Sequence, residues 1–106
     1  MKISNLPPHP TSINKPRFLI TVPDGYRYRF TVTDEILRPQ TGTPEKLLCL
    51  QRIKFEDNKE EIRLGYYIIG KKPKMRGKWV WGQYCTLLPL SDFRELVRAA
   101  EEKGWI

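Results

Sequence analysis

The chain has 106 residues, of which 40% are hydrophobic and 11% aromatic, enough apolar side chain for one folded domain and against global disorder. Its formal net charge of +7 favours anionic partners: nucleic acid first, then acidic proteins and anionic membranes. Two cysteines without a CxxC or Cys/His pairing exclude a disulfide framework and a zinc site, and we expect no metal and no cofactor.

Residues 1–16 hold four of the nine prolines in the chain. This composition resists regular structure and predicts a flexible arm, with the single histidine, His9, solvated inside it. The arm has no apolar run typical of a signal peptide, and no part of the chain approaches the ~20 apolar residues that span a bilayer. We therefore expect a soluble, cytoplasmic protein with a single folded domain at residues 17–106.

A β-hairpin is predicted over residues 17–33. Residues 17–22 are a short β-prone run, and residues 23–25 (Pro-Asp-Gly) are a turn signal, since proline fixes φ and glycine accepts positive φ. In the second strand, aromatic and β-branched residues alternate with arginine and threonine, the period of a half-buried strand. Arg27 and Arg29 therefore lie on its polar face.

Three further strands are predicted, at residues 47–55, 61–69 and 78–85. Residues 34–46 contain two prolines and a glycine, which predict a loop that begins with a helical turn. Residues 56–60 are polar and predict a turn. Both cysteines fall on strands, where we expect them to be buried apolar side chains.

An amphipathic helix is predicted at the C-terminal end, with Ser91 as its N-cap and Asp92 in its first turn, where the helix dipole favours an acid. Gly104 suits the C′ position, with Trp105 packed back on the last turn. The apolar stripe of the helix consists of Phe93, Leu96, Val97 and Ala100. The predicted fold is α+β: an antiparallel sheet of four to five strands with one C-terminal helix.

Residues 70–82 (GKKPKMRGKWVWG) combine five cations with two tryptophans and contain no acid. Lysine and arginine neutralise phosphates, and flat aromatic faces stack on unpaired bases. A cationic loop flanked by glycines suits a flexible single strand better than a rigid duplex groove. The alternative interpretation is a solvated loop beside two core tryptophans, since Trp79 and Trp81 share one strand face.

We therefore predict a nucleic-acid-binding protein that uses this basic loop and the neighbouring aromatic residues, on single-stranded DNA or RNA. Arg27 and Arg29 would extend the surface if their face adjoins the loop. The predicted contacts are Lys71, Lys72, Lys74, Arg76, Lys78, Trp79, Trp81, Tyr67, Arg27 and Arg29.

No catalytic residues are predicted, because the sequence lacks a Ser/His or Cys/His constellation and its acids are scattered. Two alternatives remain open. One is a small metal-independent ribonuclease of the toxin kind, which would use lysine, arginine and tyrosine. The other is an adaptor whose hairpin or helix binds an acidic protein.

From residue 47 onward the order is strand, polar turn, aromatic strand, basic loop, tryptophan-bearing strand and capped helix. This order resembles the single-stranded-DNA-binding domain of the positive-cofactor-four transcriptional coactivators over residues 47–103. The matching pieces are residues 61–70, the basic loop at 71–78 and the helix opening Ser-Asp-Phe-Arg-Glu-Leu. The resemblance implies single-stranded DNA binding in transcription regulation. It also implies a homodimer in which the helices meet through Phe93, Leu96, Val97 and Ala100.

Overall fold

In the described part of the chain, five antiparallel strands form one curled sheet in chain order, and one helix follows them. The structure is a computed structural model that describes residues 6–20, 27–82 and 85–106, without the side chains of residues 18–20, 27 and 28. The elements are β1 (Pro16–Ile20), β2 (Arg27–Gln40), β3 (Thr43–Phe55), β4 (Glu60–Ile69), β5 (Trp79–Trp81) and α1 (Leu90–Glu102). The predicted α+β class is confirmed. The predicted turn at residues 23–25 lies outside the described residues.

The hairpin of β2 and β3 is much longer than predicted, and the loop expected at residues 34–46 is wrong. The two strands pair almost to their ends, and only a tight turn at Thr41 and Gly42 separates them. Gly42 takes the positive φ of 82° that such a turn favours in glycine. Because β1 pairs only with residues 27–31 of β2, the edge of β2 near Pro39 faces no further strand of the described sheet, and a proline is tolerated there.

The strand β3 is buried on both faces, which divides the core in two. On the helix face, Leu48 and Leu50 pack with Leu96 and Ala100 of α1. The opposite face, which we call the arm face, buries two clusters. The members of these clusters are Leu47, Cys49 and Tyr67 in one, and Phe30, Val32 and Ile53 in the other. Cys49 is therefore buried as predicted, whereas Cys85 is exposed.

The helix begins at Leu90, one residue before the predicted N-cap. Pro89 occupies the N-cap position and makes no side-chain cap hydrogen bond. Asp92 is fully buried. Its carboxylate accepts a hydrogen bond from Nε of Arg38 at 2.8 Å. It also accepts hydrogen bonds from the backbone N–H of Thr41 at 2.9 Å and from the Thr41 hydroxyl at 2.7 Å. Asp92 was expected to interact favourably with the helix dipole. Its hydrogen bonds also connect α1 to the turn between β2 and β3.

The C-terminal end of α1 follows the prediction. Gly104 has a φ of 76°, and its N–H donates to the carbonyl of Glu101 at 3.0 Å. The N–H of Trp105 donates to the carbonyl of Ala100 at 2.9 Å, which completes a Schellman motif. The Trp105 ring packs on the helix-face core.

Two residues of the predicted helix–helix interface are not on the surface. Leu96 is 1% exposed and Ala100 is 0% exposed, because both pack on β3 within the same chain. Only Phe93, 48% exposed, and the half-buried Val97 remain accessible on the stripe. The described part of the chain has no helix that is long and apolar enough to cross a membrane.

The described part of the arm, residues 6–15, lies against the arm face. The indole N–H of Trp79 donates to the carbonyl of Pro7 at 3.1 Å, and His9 meets the same ring edge-to-face with the centroids 6.1 Å apart. Further along, the Ser12 hydroxyl and the Tyr67 hydroxyl are hydrogen-bonded at 2.8 Å. The arm thus covers the part of the sheet where β4 and β5 meet.

Candidate nucleic-acid interface

The basic loop, residues 70–78, is closed by its own backbone hydrogen bonds. The N–H of Gly70 donates to the carbonyl of Lys78 at 2.8 Å, and the N–H of Gly77 donates to the carbonyl of Gly70 at 3.2 Å. A turn between Lys72 and Met75 lies inside this closure, with an N–H to carbonyl distance of 3.0 Å. The cations are therefore presented on a folded loop that joins β4 to β5.

All five cations of the basic loop are exposed. The ion pairs found among the described residues use other cations: Arg29, Arg38, Arg52, Lys59, Arg98 and Lys103. Within those same described parts of the chain, no acid lies within ion-pair distance of a loop cation and no loop cation donates a side-chain hydrogen bond. The loop thus carries five positive charges that these residues do not neutralise.

Trp79 and Trp81 share one face, as predicted, but it is the arm face and not the helix face. Both are half-buried and pack on the cluster that contains Tyr67. The rings of Trp81 and Tyr67 meet edge-to-face with their centroids 5.1 Å apart. A Cβ atom on Gly65 would lie 2.3 Å from the Trp81 ring, so only a glycine in β4 leaves room for this indole.

Tyr67 is not accessible as a stacking surface. It is 6% exposed, and its hydroxyl is bonded to Ser12 of the arm. Burial, more than any other cause, raises the pKa of this phenol. Its neighbour Tyr66 lies on the helix face, where Lys46 Nζ is 5.0 Å from the ring centroid. The alternation of side chains along β4 predicts that Tyr66 and Tyr67 lie on opposite faces of the sheet. It does not predict which of the two faces the arm covers.

Arg29 does not lie beside the basic loop. In the sheet register, Phe30 is paired with Phe55, whereas Ile68, just before the loop, is paired with Lys46. These two levels are nine positions apart on β3, about 30 Å of extended strand. Arg29 also lies 3.7 Å from Glu56. The side chain of Arg27, which neighbours Arg29 on β2, lies outside the described residues.

A groove of about 730 Å³ runs between the start of β3 and the basic loop. Three cations, Lys46, Lys71 and Arg76, line it together with one acid, Glu45, and with the apolar residues Ile68 and Ile69. The groove was not predicted, because it joins segments more than twenty residues apart in the sequence. Lys46, a cation directly before the buried Leu47 in β3, is the local signal that points to it.

A polar row also crosses the arm face and was not predicted. Arg63 of β4, Gln51 of β3 and Glu35 of β2 are paired across the sheet. The Nε of Arg63 donates to Oε1 of Gln51 at 2.7 Å, and Nε2 of Gln51 donates to Oε2 of Glu35 at 3.1 Å. Cys49 is close to the same carboxylate at 3.6 Å, and burial above all raises the pKa of this thiol. A thiol held in its neutral form is a weak nucleophile.

Among the described residues, no group of three or more histidine, cysteine or acidic side chains is placed to hold a metal ion. No family model, no curated protein and no solved structure matches the chain. The resemblance to the positive-cofactor-four coactivators therefore stays a prediction from the order of the elements.

Proposed function

We propose that this protein binds nucleic acid, with a preference for unpaired strands, through the basic loop and the adjoining groove, and that it does not catalyse a reaction. The observation that carries the proposal is the uncompensated charge of the loop. Five exposed cations gather within nine residues, while the acids that do form ion pairs in the described structure pair with cations elsewhere.

Charge of this kind is costly to concentrate without an anionic partner, since like charges repel. A phosphate backbone supplies a row of anions, and its release of counterions drives binding. Lys71 and Arg76 line the groove together with Lys46, whose Nζ donates to the carbonyl of Leu87 at 2.8 Å. One acid, Glu45, also lines the groove, so its cations outnumber its acids three to one. The apolar side chains of Ile68 and Ile69 in the same groove offer a surface for a sugar or a base edge.

The preference for unpaired strands rests on the aromatic residues beside the loop. Trp79 directly follows Lys78, and Trp81 lies two residues further on the same face. Both residues are half-buried: His9 of the arm meets the edge of Trp79, and Arg63 lies over the Trp81 ring. We propose that the parts of the two rings that remain exposed stack on bases, a contact worth ~1–3 kcal/mol per base. Bases in a duplex are already stacked and cannot use these rings.

The proposal is tested by titrating labelled poly-dT, poly-U and duplex DNA with the protein and following fluorescence anisotropy. Two variants with the same change in net charge are compared. The loop variant carries Lys72→Ala, Lys74→Ala and Arg76→Ala. The control variant carries Lys54→Ala, Lys59→Ala and Arg98→Ala, which remove exposed cations away from the loop.

The loop variant is expected to bind poly-dT at least about tenfold more weakly than the wild type, because each lost phosphate contact removes one released counterion. The control variant should retain most of the affinity. Equal losses in the two variants would mean that only net charge matters, and the proposed interface would be wrong. RNA incubated with the wild type in EDTA should stay intact; cleavage would instead indicate the metal-independent ribonuclease.

A further inference from the structure

The Arg63 guanidinium is held in place from three sides on the arm face. Its Nε donates to Gln51, which is fully buried and is itself held by Glu35. The other carboxylate oxygen of Glu35 accepts the N–H of Ser12 at 3.0 Å. The chain of hydrogen bonds from arm to arginine thus determines where the guanidinium lies and how its plane is oriented.

Two aromatic rings flank the same group. The ring of Phe30 is 4.9 Å from the guanidinium carbon of Arg63, and the ring of Trp81 is 4.5 Å from it. Phe30 lies on β2 and Trp81 on β5, so the rings approach from the two sides of β4. Cation–π contacts of this kind stabilise the charge and also restrict where another group can approach.

The terminal nitrogens, Nη1 and Nη2, are left without an acceptor within the parts of the chain that the structure describes. No described acid lies within ion-pair distance of Arg63 either, although the residue is half-buried. Among the described residues, the buried side-chain atoms without a hydrogen-bond partner do not include Nη1 or Nη2 of Arg63, so these two nitrogens are in contact with solvent. The fork is therefore open to an anion that comes from solution.

We propose that Nη1 and Nη2 of Arg63 bind a phosphate group that approaches in the plane of the guanidinium. The fork matches two oxygens of a phosphate, and the resulting pair of hydrogen bonds is charge-assisted. Because the rings occupy the flanks and Gln51 occupies Nε, the open end is the approach that remains.

A second arginine favours phosphate over a singly charged carboxylate. Arg17 is paired with Phe30 in the register of β1 and β2, so its side chain leaves the sheet on the arm face. The pKa of Arg63 is lowered, first by burial and to a smaller degree by the positive charge of Arg17. The negative charge of a phosphate would oppose both effects by favouring the charged form of Arg63.

The Arg63 fork lies outside the basic loop and goes beyond the proposed function, and Trp81 is the one residue that both sites use. Arg63 and Gly70 are seven positions apart along the chain, which is about 23 Å of strand. The phosphate could come from a free ion, from the end of a strand or from within a strand, and the experiment distinguishes these sources.

The test is an NMR titration of the ¹⁵N-labelled protein with inorganic phosphate, against sodium chloride at matched ionic strength. The Nε–H signal of Arg63 and the indole signal of Trp81 are expected to shift saturably with phosphate and not with chloride. Arg63→Lys, which keeps the charge but loses the fork, should weaken phosphate binding about tenfold. Arg52→Lys, on an arginine that is paired with Glu60, is the matched control and should leave it unchanged.

Two further titrations use dT oligonucleotides with and without a 5′-phosphate. A stronger Arg63 response to the phosphorylated strand assigns the site to a strand end, equal responses assign it to internal phosphates, and a response to inorganic phosphate alone assigns it to a free ion. The loop variant should keep the phosphate response of Arg63, so this inference and the proposed function fail independently. No saturable shift in the wild type, or the same affinity in Arg63→Lys, would overturn the inference.

Discussion

The buried carboxylate of Asp92 connects two elements of the fold through its hydrogen bonds. Burial by itself would raise the pKa of this group, but the hydrogen bonds from Arg38 and Thr41 outweigh it, and the net effect is a pKa below the ordinary value of 3.8. The ionised form is therefore the one that the fold prefers. It joins the start of α1 to the turn of the longest hairpin, two elements far apart in the sequence.

Asp92→Asn is expected to reduce the free energy of unfolding by about 2 kcal/mol, since hydrogen bonds to a charged acceptor are lost. Urea unfolding followed by circular dichroism measures this. Asp57→Asn, in an exposed turn, is the control and should change stability by less than about 0.5 kcal/mol.

The pH dependence of the same variant has a definite sign. Because the folded-state pKa of Asp92 is lowered, its contribution to stability is present above the unfolded-state value near 3.8 and is lost as the pH falls through the folded-state pKa. The difference in stability between wild type and Asp92→Asn should therefore be constant above about pH 5 and shrink in acid. A difference that grows in acid would contradict this account.

The alternation of residue types along a strand predicted which side chains share a face of the sheet. It did not predict which other segments pack on each face. The period of β4 correctly separates Tyr66 from Tyr67. Tyr67, one of the predicted contacts, is buried, and its hydroxyl is hydrogen-bonded to that of Ser12, 55 positions away. Arg63 was overlooked for the same reason: its partners Gln51 and Glu35 come from two other strands.

At the scale of elements, the accuracy of the prediction depended on how local the determining interaction is. The end of α1 was predicted correctly, because a Schellman motif involves only the last turn and a glycine at C′. Residues 34–46 were predicted incorrectly, because their prolines and glycine suggest a loop when taken alone. The pairing between β2 and β3 outweighs that local preference, because β3 carries buried residues on both of its faces.

Gly104→Ala tests the helix end. The position has a φ of 76°, and an added methyl group would meet no atom within 4 Å, so backbone strain is the only cost. The variant should lose about 1 kcal/mol of unfolding free energy, and Gly104→Asn should lose less, because asparagine tolerates positive φ. Thermal unfolding of the three proteins measures the order, and equal stability of alanine and asparagine would contradict it.

At the scale of the whole molecule, charge is distributed unevenly. Ion pairs neutralise some of the cations on the strands, on the helix and in the turn between β3 and β4, whereas all five cations of the basic loop are free of described acids and lie within nine residues. The sequence predicted the cation run, but not this contrast, since ion pairs such as Lys103 with Asp34 join distant positions. The groove likewise exists only once β3 and β4 are paired.

The central claim is that the basic loop forms several phosphate contacts with a single strand, and the salt dependence of poly-dT binding tests it most directly. For single strands, the slope of log K against log salt changes by about 0.7 per phosphate contact. The loop variant, with three cations removed, should therefore have a slope shallower by about 2, while the control variant should keep the wild-type slope. Slopes that do not differ among the three proteins would contradict the account.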